Sequence, residues 1–561
     1  MTGFIILLLA GAFFYMIYQQ AVNIPYVDDF AFFDYTLRMM DANDFGAFWN
    51  VVWARHSEHR IVLTKLSFWM QYALTGQLNF RQKILVETYF IWSFFGVFWY
   101  TFRKNTVPFL YLLPVALILF SPIYYMDVFW NMTTWQHIGS ALLISLCFYF
   151  LCTLSRRAFA AALLLGVLVT LSNGNGWLCL FTGGVLLLFQ KRYRTLLIWL
   201  GFCTVLAIIC LMGNVPMHYH QLSPLYVFQT ICVFLGSTFF FLRGHQPDNF
   251  YGGLALLLMG AILLSVLFLV NRNLLKGSKA AIAVSNKITQ SAANLSMVGV
   301  IACMFLTAVG AGLLRQSTEF AIWPHYMVYS VFTVLFTYAL TIILLPNQYR
   351  PLAGGVGVVL ATLVAIGGLL WAFPDLEVFR KQLLADAFKL RNEQPTGKPI
   401  VYVNPVTIGQ SRYREAVQHG LHHLPSTPFD GLAAHVFGQS IDSALLSKNY
   451  ALQIVNDPDT GRTIGLSNDS LPVGGRHLVY VILKNAEETY LIAPKPNLLS
   501  NRRVLLSTGQ LYRNGFTVNL FVTNYTTGVY DIGLILPEKE GYRVVYTGQQ
   551  ITVRNPDPVK G

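Results

Sequence analysis

Charge is scarce in this chain: only 12% of its 561 residues are Asp, Glu, Lys or Arg, where soluble domains carry roughly 25%. Acid is scarcer still at the front, with 10 of the 26 carboxylates before residue 374 and 16 after it. Together with a mean hydropathy of +0.51, that deficit excludes a single soluble globule. It divides the chain into an apolar part, 1–373, and a polar part beyond it. Cysteine is missing from the polar part altogether. All seven cysteines (Cys147, Cys152, Cys179, Cys203, Cys210, Cys232 and Cys303) lie in apolar stretches without metal-ligand spacing. This excludes a disulfide framework and leaves them as small core residues. No internal repeat or low-complexity tract is present. The opening MTGFIILLLAGAFFYMIYQQ lacks a basic leader and a clean small-residue cleavage site, so it reads as a retained helix. The net charge of +13 does not point to nucleic acid, because 12 of the 20 Lys and Arg before residue 374 sit in short connectors between apolar segments. That is the pattern of cytoplasmic membrane loops.

A helix that crosses a bilayer needs about 20 apolar residues, fewer when it is short or broken. Such runs lie near 3–20, 82–102, 107–121, 138–154, 158–173, 177–190, 195–212, 251–271, 292–314, 326–345 and 353–373. They predict a mainly α-helical polytopic membrane protein of about eleven spans. The basic connectors (Arg103 and Lys104, Arg156 and Arg157, KRYR at 191–194, Arg272 to Lys287, and Arg350) all face one side if the segment 223–243 enters and leaves on the same face. That segment is then re-entrant or interfacial. The N-terminus becomes cytoplasmic, and loops 21–81, 122–137, 172–176, 213–250 and 315–325 share the other face with the C-terminal part.

Six of the ten early acids crowd into Tyr26–Leu66: Asp28, Asp29, Asp34, Asp41, Asp44 and Glu58, alongside His56, His59 and Arg60 in the run RHSEHR. Asp28 and Asp29 follow the first helix closely, at the outer boundary where a lipid-linked donor keeps its phosphate. A carboxylate there suits a general base; helix capping is the plain structural alternative. Helical spacing in RHSEHRIVLTKLSFWM puts His56, His59, Arg60 and Leu63 on one face of an interfacial amphipathic helix. Arg60 matches a lipid phosphate in geometry, while Glu58, His56 or His59 would orient an acceptor or help hold a divalent metal ion. HSEH lacks the His spacing of a zinc protease helix. Arg315, with His325 and Tyr326 nearby, is a second phosphate candidate. Trp130, Asn131, Trp135, Gln136 and His137 form an aromatic and amide group suited to sugars, or an interface belt. Asn173 and Asn175 in SNGNG read first as a turn. Glu87, inside the second span, faces a cavity or a partner.

Beyond the last span, 375–394 has the apolar spacing of an amphipathic surface helix. It opens a helical connector, 374–449, in which PIVYVNP is a short strand. Within the connector His419, His422 and His423 recur at helical spacing, as a solvated face before a metal site. From 450 to 561, short Val-, Tyr-, Ile- and Thr-rich runs separated by turns predict a small β-sandwich.

VDDF after the first helix, SEHRI about thirty residues later, W-x-x-x-x-WQ at 130–136 and SNGNGW at 172–177 together resemble the bacterial GT-C membrane glycosyltransferases of the O-antigen-modifying and pilin-modifying type. The resemblance covers roughly residues 20–345. It implies a bacterial inner-membrane enzyme with a polyprenyl-phosphate sugar as donor on the periplasmic side. The acceptor would be an O-antigen repeat, another envelope glycan or a pilin Ser/Thr. It also implies Asp28 or Asp29 as the base. Where the family pattern has Arg-Tyr in the late outer loop, this chain has His325-Tyr326, which leaves the donor phosphate to Arg60, Arg315 and His325. His56, Glu58, His59, Trp135, Gln136 and Tyr326 then serve acceptor or sugar. Two other classes fit the same helices: a transporter or flippase of lipid-linked glycans, and a non-catalytic envelope assembly protein.

Overall fold

The computed structural model describes residues 1–56, 59–211, 223–242, 250–260, 279–314, 324–392, 407–438, 440–456, 462–473, 479–499, 504 and 507–554. Glu58, Arg315, the PIVYVNP stretch and most of 251–271 lie outside the described residues. The chain divides into two units. One comprises Met1–Gln19, Tyr35–Gly76 and Lys83–Ala372; the other comprises Gln20–Asp34, Gln77–Gln82 and Phe373–Gly561.

The first unit is helical, because its sequence offers long apolar runs interrupted only by short polar connectors. Its helices include α1 (Thr2–Gln20), α2 (Val62–Thr75), α3 (Phe80–Lys104), α4 (Phe109–Phe129), α5 (Asn131–Cys152), α6 (Arg156–Thr170), α7 (Asn175–Phe189), α8 (Tyr193–Leu211), α9 (Pro224–Gly236), α10 (Ala292–Leu314), α11 (Met327–Leu344) and α12 (Arg350–Arg391). Eight helices among the described residues are long and apolar enough to cross a membrane: α1, α3, α4, α5, α8, α10, α11 and α12. The helix α7 is shorter, and α9 ends at Gly236 and passes into a 3-10 turn, Ser237–Leu242. Residues 122–137, expected as an outer loop, are instead helical and largely buried. They include a π-helical turn, Thr134–Gly139, inside α5. Local connections are capped as the sequence prescribes: Ser155 Oγ accepts the Ala158 N–H at 3.1 Å to start α6. Gly176 is obligatory at the start of α7, since a side-chain carbon there would lie 2.3 Å from the Thr170 Cα.

The second unit holds the sheets. Four antiparallel strands in the order β1 (Gln453–Asn456), β2 (Thr463–Asn468), β6 (Tyr512–Phe521), β5 (Lys495–Leu498) make one. The order β4 (Thr489–Ile492), β3 (Tyr480–Lys484), β7 (Gly528–Pro537), β8 (Tyr542–Val553) makes the other. Leu466, Phe516 and Leu520 from the first meet Val481, Leu483, Ile532 and Leu534 from the second in one apolar core. The alternation of β2, with every second residue buried, follows from facing the core on one side only. All five residues of β3 are buried, because its sheet is covered on both faces. The end of α12 supplies part of the cover: Gln382 Nε2 donates to the Leu491 carbonyl at 3.1 Å, and Gln382 Oε1 accepts the Ala493 N–H at 3.0 Å. This corrects the surface helix expected at 375–394. Leu376, Phe379, Leu383, Leu384 and Phe388 are all buried. The helix also does not stop at the apolar boundary; it runs unbroken through Pro374, next to the unit boundary at Phe373.

Candidate functional site

In the second unit, Asp28 and Asp29 sit on a 3-10 turn, Val27–Phe30. Asp29 is fully buried, and its Oδ2 accepts the Tyr26 N–H at 3.3 Å while its own N–H returns to the Tyr26 carbonyl at 2.9 Å. That reciprocal pairing is a capping role. Asp28 is half-buried. Directly before it, Val27 adopts φ 47°, a left-handed conformation that a β-branched residue enters only at a cost. The surrounding packing holds the strain: Tyr26 meets Phe379 edge-on with ring centroids 4.7 Å apart, and Phe30 meets Tyr413 at 5.5 Å. Asp34, further along, pairs with Arg412 at 3.3 Å.

The histidines expected in the C-terminal connector do not share a helical face. The helix α13 (Thr407–Gln418) ends before His419. His422 is buried among Phe33, Phe80 and Tyr413, and its Nδ1 lies 3.0 Å from the Leu78 carbonyl. Burial pushes its pKa down to about 4. It is a core histidine.

In the first unit, the described residues of RHSEHR (Arg55, His56, His59 and Arg60) are not helical. His56 and His59 exchange both backbone hydrogen bonds, at 2.8 and 3.0 Å, and α2 begins only at Val62. The pairing takes the histidines off the helical face expected for them. His56 Nδ1 instead meets the Tyr35 hydroxyl at 3.0 Å. The His59 ring lies against Gly174, where a side-chain carbon would meet it at 2.9 Å. Arg60 and Arg55 both donate to the Cys210 carbonyl, each at 3.2 Å, and Arg60 also donates to the Trp53 carbonyl and stacks over the Trp53 ring at 4.7 Å. The two guanidiniums thus gather at the C-terminal end of α8, where a helix favours cations. Burial, and then the like charge of Arg55, lower the pKa of Arg60.

A second polar group, seen in the sequence only in pieces, assembles inside the helices. Asp127 Oδ1 lies 2.7 Å from His137 Nδ1, and both residues are buried. His325 stacks on His137 at 5.8 Å and meets Trp130 at 5.3 Å, while Tyr326 and Tyr329 flank His137 at 5.8 and 5.2 Å. Asn173 donates to the Gln136 carbonyl at 3.0 Å, and Asn175 donates to the Tyr329 hydroxyl at 2.8 Å. These amides join distant helices rather than merely making the turn expected from SNGNG. Trp135, expected to serve acceptor or sugar, donates its indole N–H to Glu87 at 2.7 Å. Glu87 also pairs with Lys83, which in turn donates to Ser67 Oγ at 2.6 Å. Asp127 Oδ2, Glu87 Oε2 and both polar atoms of the Asn131 amide are buried without a hydrogen-bond partner among the described residues, which is rare in a folded protein. Local pattern hid this group, since its members come from α3, α4, α5, α7 and the start of α11. The unusual π turn carrying Trp135, Gln136 and His137 is the local feature that marks it, as such turns often do at functional sites.

No three His, Cys, Asp or Glu side chains gather to hold a metal ion among the described residues. Compared with protein families, with curated proteins and with solved structures, the chain gives no match.

Proposed function

We propose that this chain is a membrane glycosyltransferase of the GT-C kind. It moves one sugar from a polyprenyl-phosphate donor to an acceptor hydroxyl on the periplasmic side of a bacterial inner membrane, with Asp28 as general base. The observation that carries this reading is the strained Val27, which fixes a half-buried carboxylate just beyond the first apolar helix. Strain of this kind clusters where geometry must be held for chemistry. Asp29, committed to Tyr26, serves to hold the turn. In the reaction the acceptor oxygen attacks the anomeric carbon, the bond from that carbon to the donor phosphate oxygen breaks, and the acceptor proton passes to Asp28. Holding donor and acceptor together supplies much of the rate.

The test is transfer by the purified protein in lipid nanodiscs, supplied with a polyprenyl-phosphate sugar and a hydroxyl acceptor. Asp28→Asn is expected to slow transfer by about 10²–10⁴-fold, with the protein still folded. Full transfer by that variant overturns the base assignment.

One observation favours a second reading, a transporter of lipid-linked glycans. Lys83, Glu87, Asp127 and His137 are buried within helices apolar enough to span a membrane, where ionisable groups commonly mark a transport path. Movement of a labelled lipid-linked glycan across vesicles, without any sugar transfer, would select it.

A further inference from the structure

The sheet β1-β2-β6-β5 of the second unit has one face in the apolar core and one face turned outward. Strand alternation decides which residues lie on each. Ile464, Leu466, Phe516, Val518 and Leu520 are in the core, so Thr463, Gly465, Ser467, Thr517, Asn519 and Phe521 point the other way. Register sets them in rows across three strands. Gln453 pairs with Ser467, and Ser467 with Thr517. Val455 pairs with Gly465, and Gly465 with Asn519. Thr463 pairs with Phe521. Rows on one face lie about 7 Å apart and strands about 4.8 Å apart.

The outward side chains of these rows carry no charge. Lys495, at the border opposite Thr517, is paired with Asp375 at 2.6 Å. Gln453, Ser467, Thr517 and Asn519 supply groups that both donate and accept hydrogen bonds. Phe521, two residues along β6 from Asn519, leaves 56% of its surface exposed. Gly465 stands in the middle. Glycine inside a strand weakens it, and its usual uses are a bulge or the close approach of a backbone or a ligand. The register of β2 is unbroken with β1 and with β6, so no bulge uses it. Among the described residues, a side-chain carbon at Gly465 would meet only Val455, its carbonyl oxygen at 3.5 Å and its Cβ at 3.8 Å. Those are ordinary contacts, so packing does not ask for glycine there. What glycine leaves is an open floor between Val455 and Asn519.

We propose that this face binds a neutral glycan chain, with one sugar ring over Gly465 and its neighbour against Phe521. Sugar hydroxyls donate and accept as the amides and hydroxyls of the face do. The C–H face of a sugar ring is attracted to the negative face of an aromatic ring. A protein partner would meet a poor centre, because interface cores are apolar and rich in aromatic residues and Arg. Here the centre is a glycine beside an amide and hydroxyls. An acidic polymer would find only Lys495, already paired. Together with the transferase reading, a glycan site here favours a glycan acceptor over a pilin Ser/Thr. Binding at this face does not depend on Asp28, however, and is tested without transfer.

The experiment places the full chain, in nanodiscs, on an array of neutral and acidic bacterial polysaccharides. Wild type should bind neutral ones. Calorimetry with the tightest neutral glycan then compares wild type with Phe521→Ala and Gly465→Ile. Each variant should bind at least about tenfold more weakly. Both changes face outward, and a β-branched residue suits a strand, so thermal unfolding should match wild type. No binding to any neutral glycan, a preference for acidic ones, or both variants binding as wild type overturns the proposal. Self-association that Phe521→Ala abolishes, with no glycan bound, gives the face to a second copy of this chain instead. Sugar transfer measured on the same samples reports separately on Asp28.

Discussion

The segment 83–140 and the β-sandwich at 453–553 differ in degree in how they bury polar groups: the sandwich core also leaves Tyr525 Oη without a hydrogen-bond partner among the described residues. In the sandwich, the core between the sheets is apolar, and a buried cation such as Lys484 is satisfied by the Val436 and Gly438 carbonyls. In 83–140, an ion pair, a carboxylate–imidazole pair and an amide are packed inside apolar helices, and Glu87, Asp127 and Asn131 keep polar atoms without a partner among the described residues. Each such atom costs about 1–3 kcal/mol. A fold optimised for stability alone would not keep several together. The contrast makes 83–140 the region where substitution of buried polar groups should tell most.

The contrast can be sharpened by substitution, beginning with the largest effect. Glu87→Ala strands the buried Lys83 ammonium and should destabilise the protein by about 3–5 kcal/mol. Adding Lys83→Met should recover most of that loss, as read by thermal unfolding in nanodiscs. No recovery would mean the carboxylate matters for more than its partner.

Next comes His422, with its pKa held at about 4 by burial. The unfolded chain takes up the proton near pH 6.5 and the folded chain does so only near 4, so stability falls as pH drops through that window. The full loss amounts to about 3 kcal/mol. Denaturant titrations at pH 7 and pH 4 measure it, and His422→Phe, matched to its aromatic surroundings, should flatten the dependence.

Asn131→Leu removes the unpartnered amide at similar volume. It should stabilise the fold by about 1–2 kcal/mol, as read by thermal unfolding; no gain would mean that the amide has a partner of its own.

The smallest effect belongs to Val27→Gly, which relieves the left-handed strain. Thermal unfolding should show a gain of about 1 kcal/mol, and transfer should fall as Asp28 loses its fixed position.

Much of the architecture was legible locally. Apolar runs near 3–20, 82–102, 292–314 and 326–345 became α1, α3, α10 and α11, because a helix satisfies its own backbone and needs only an apolar surface. The short runs TYLIAP, DIGLIL and YRVVYTG became parts of β4, β7 and β8 for a similar reason: strand alternation is written in the sequence. RHSEHR misled because its helical spacing is real, yet the backbone pairing of His56 with His59 outweighs it. The amphipathic reading of 375–394 failed for another reason. Its polar residues do not mark solvent; Gln382 is used against the second sheet, and no local pattern announces a partner more than one hundred residues away.

The sequence by itself determined the apolar and polar division of the chain, the helices of the first part and the strands of the last, since these depend on neighbours three, four or two residues apart. Tertiary structure alone decided which of two adjacent aspartates caps a turn and which stays half-buried. It also brought Asp127, His137, His325 and Asn175 into one group and set Arg55 and Arg60 at the end of α8. Those outcomes depend on contacts between residues far apart in the chain, and such contacts exist only once the helices have packed.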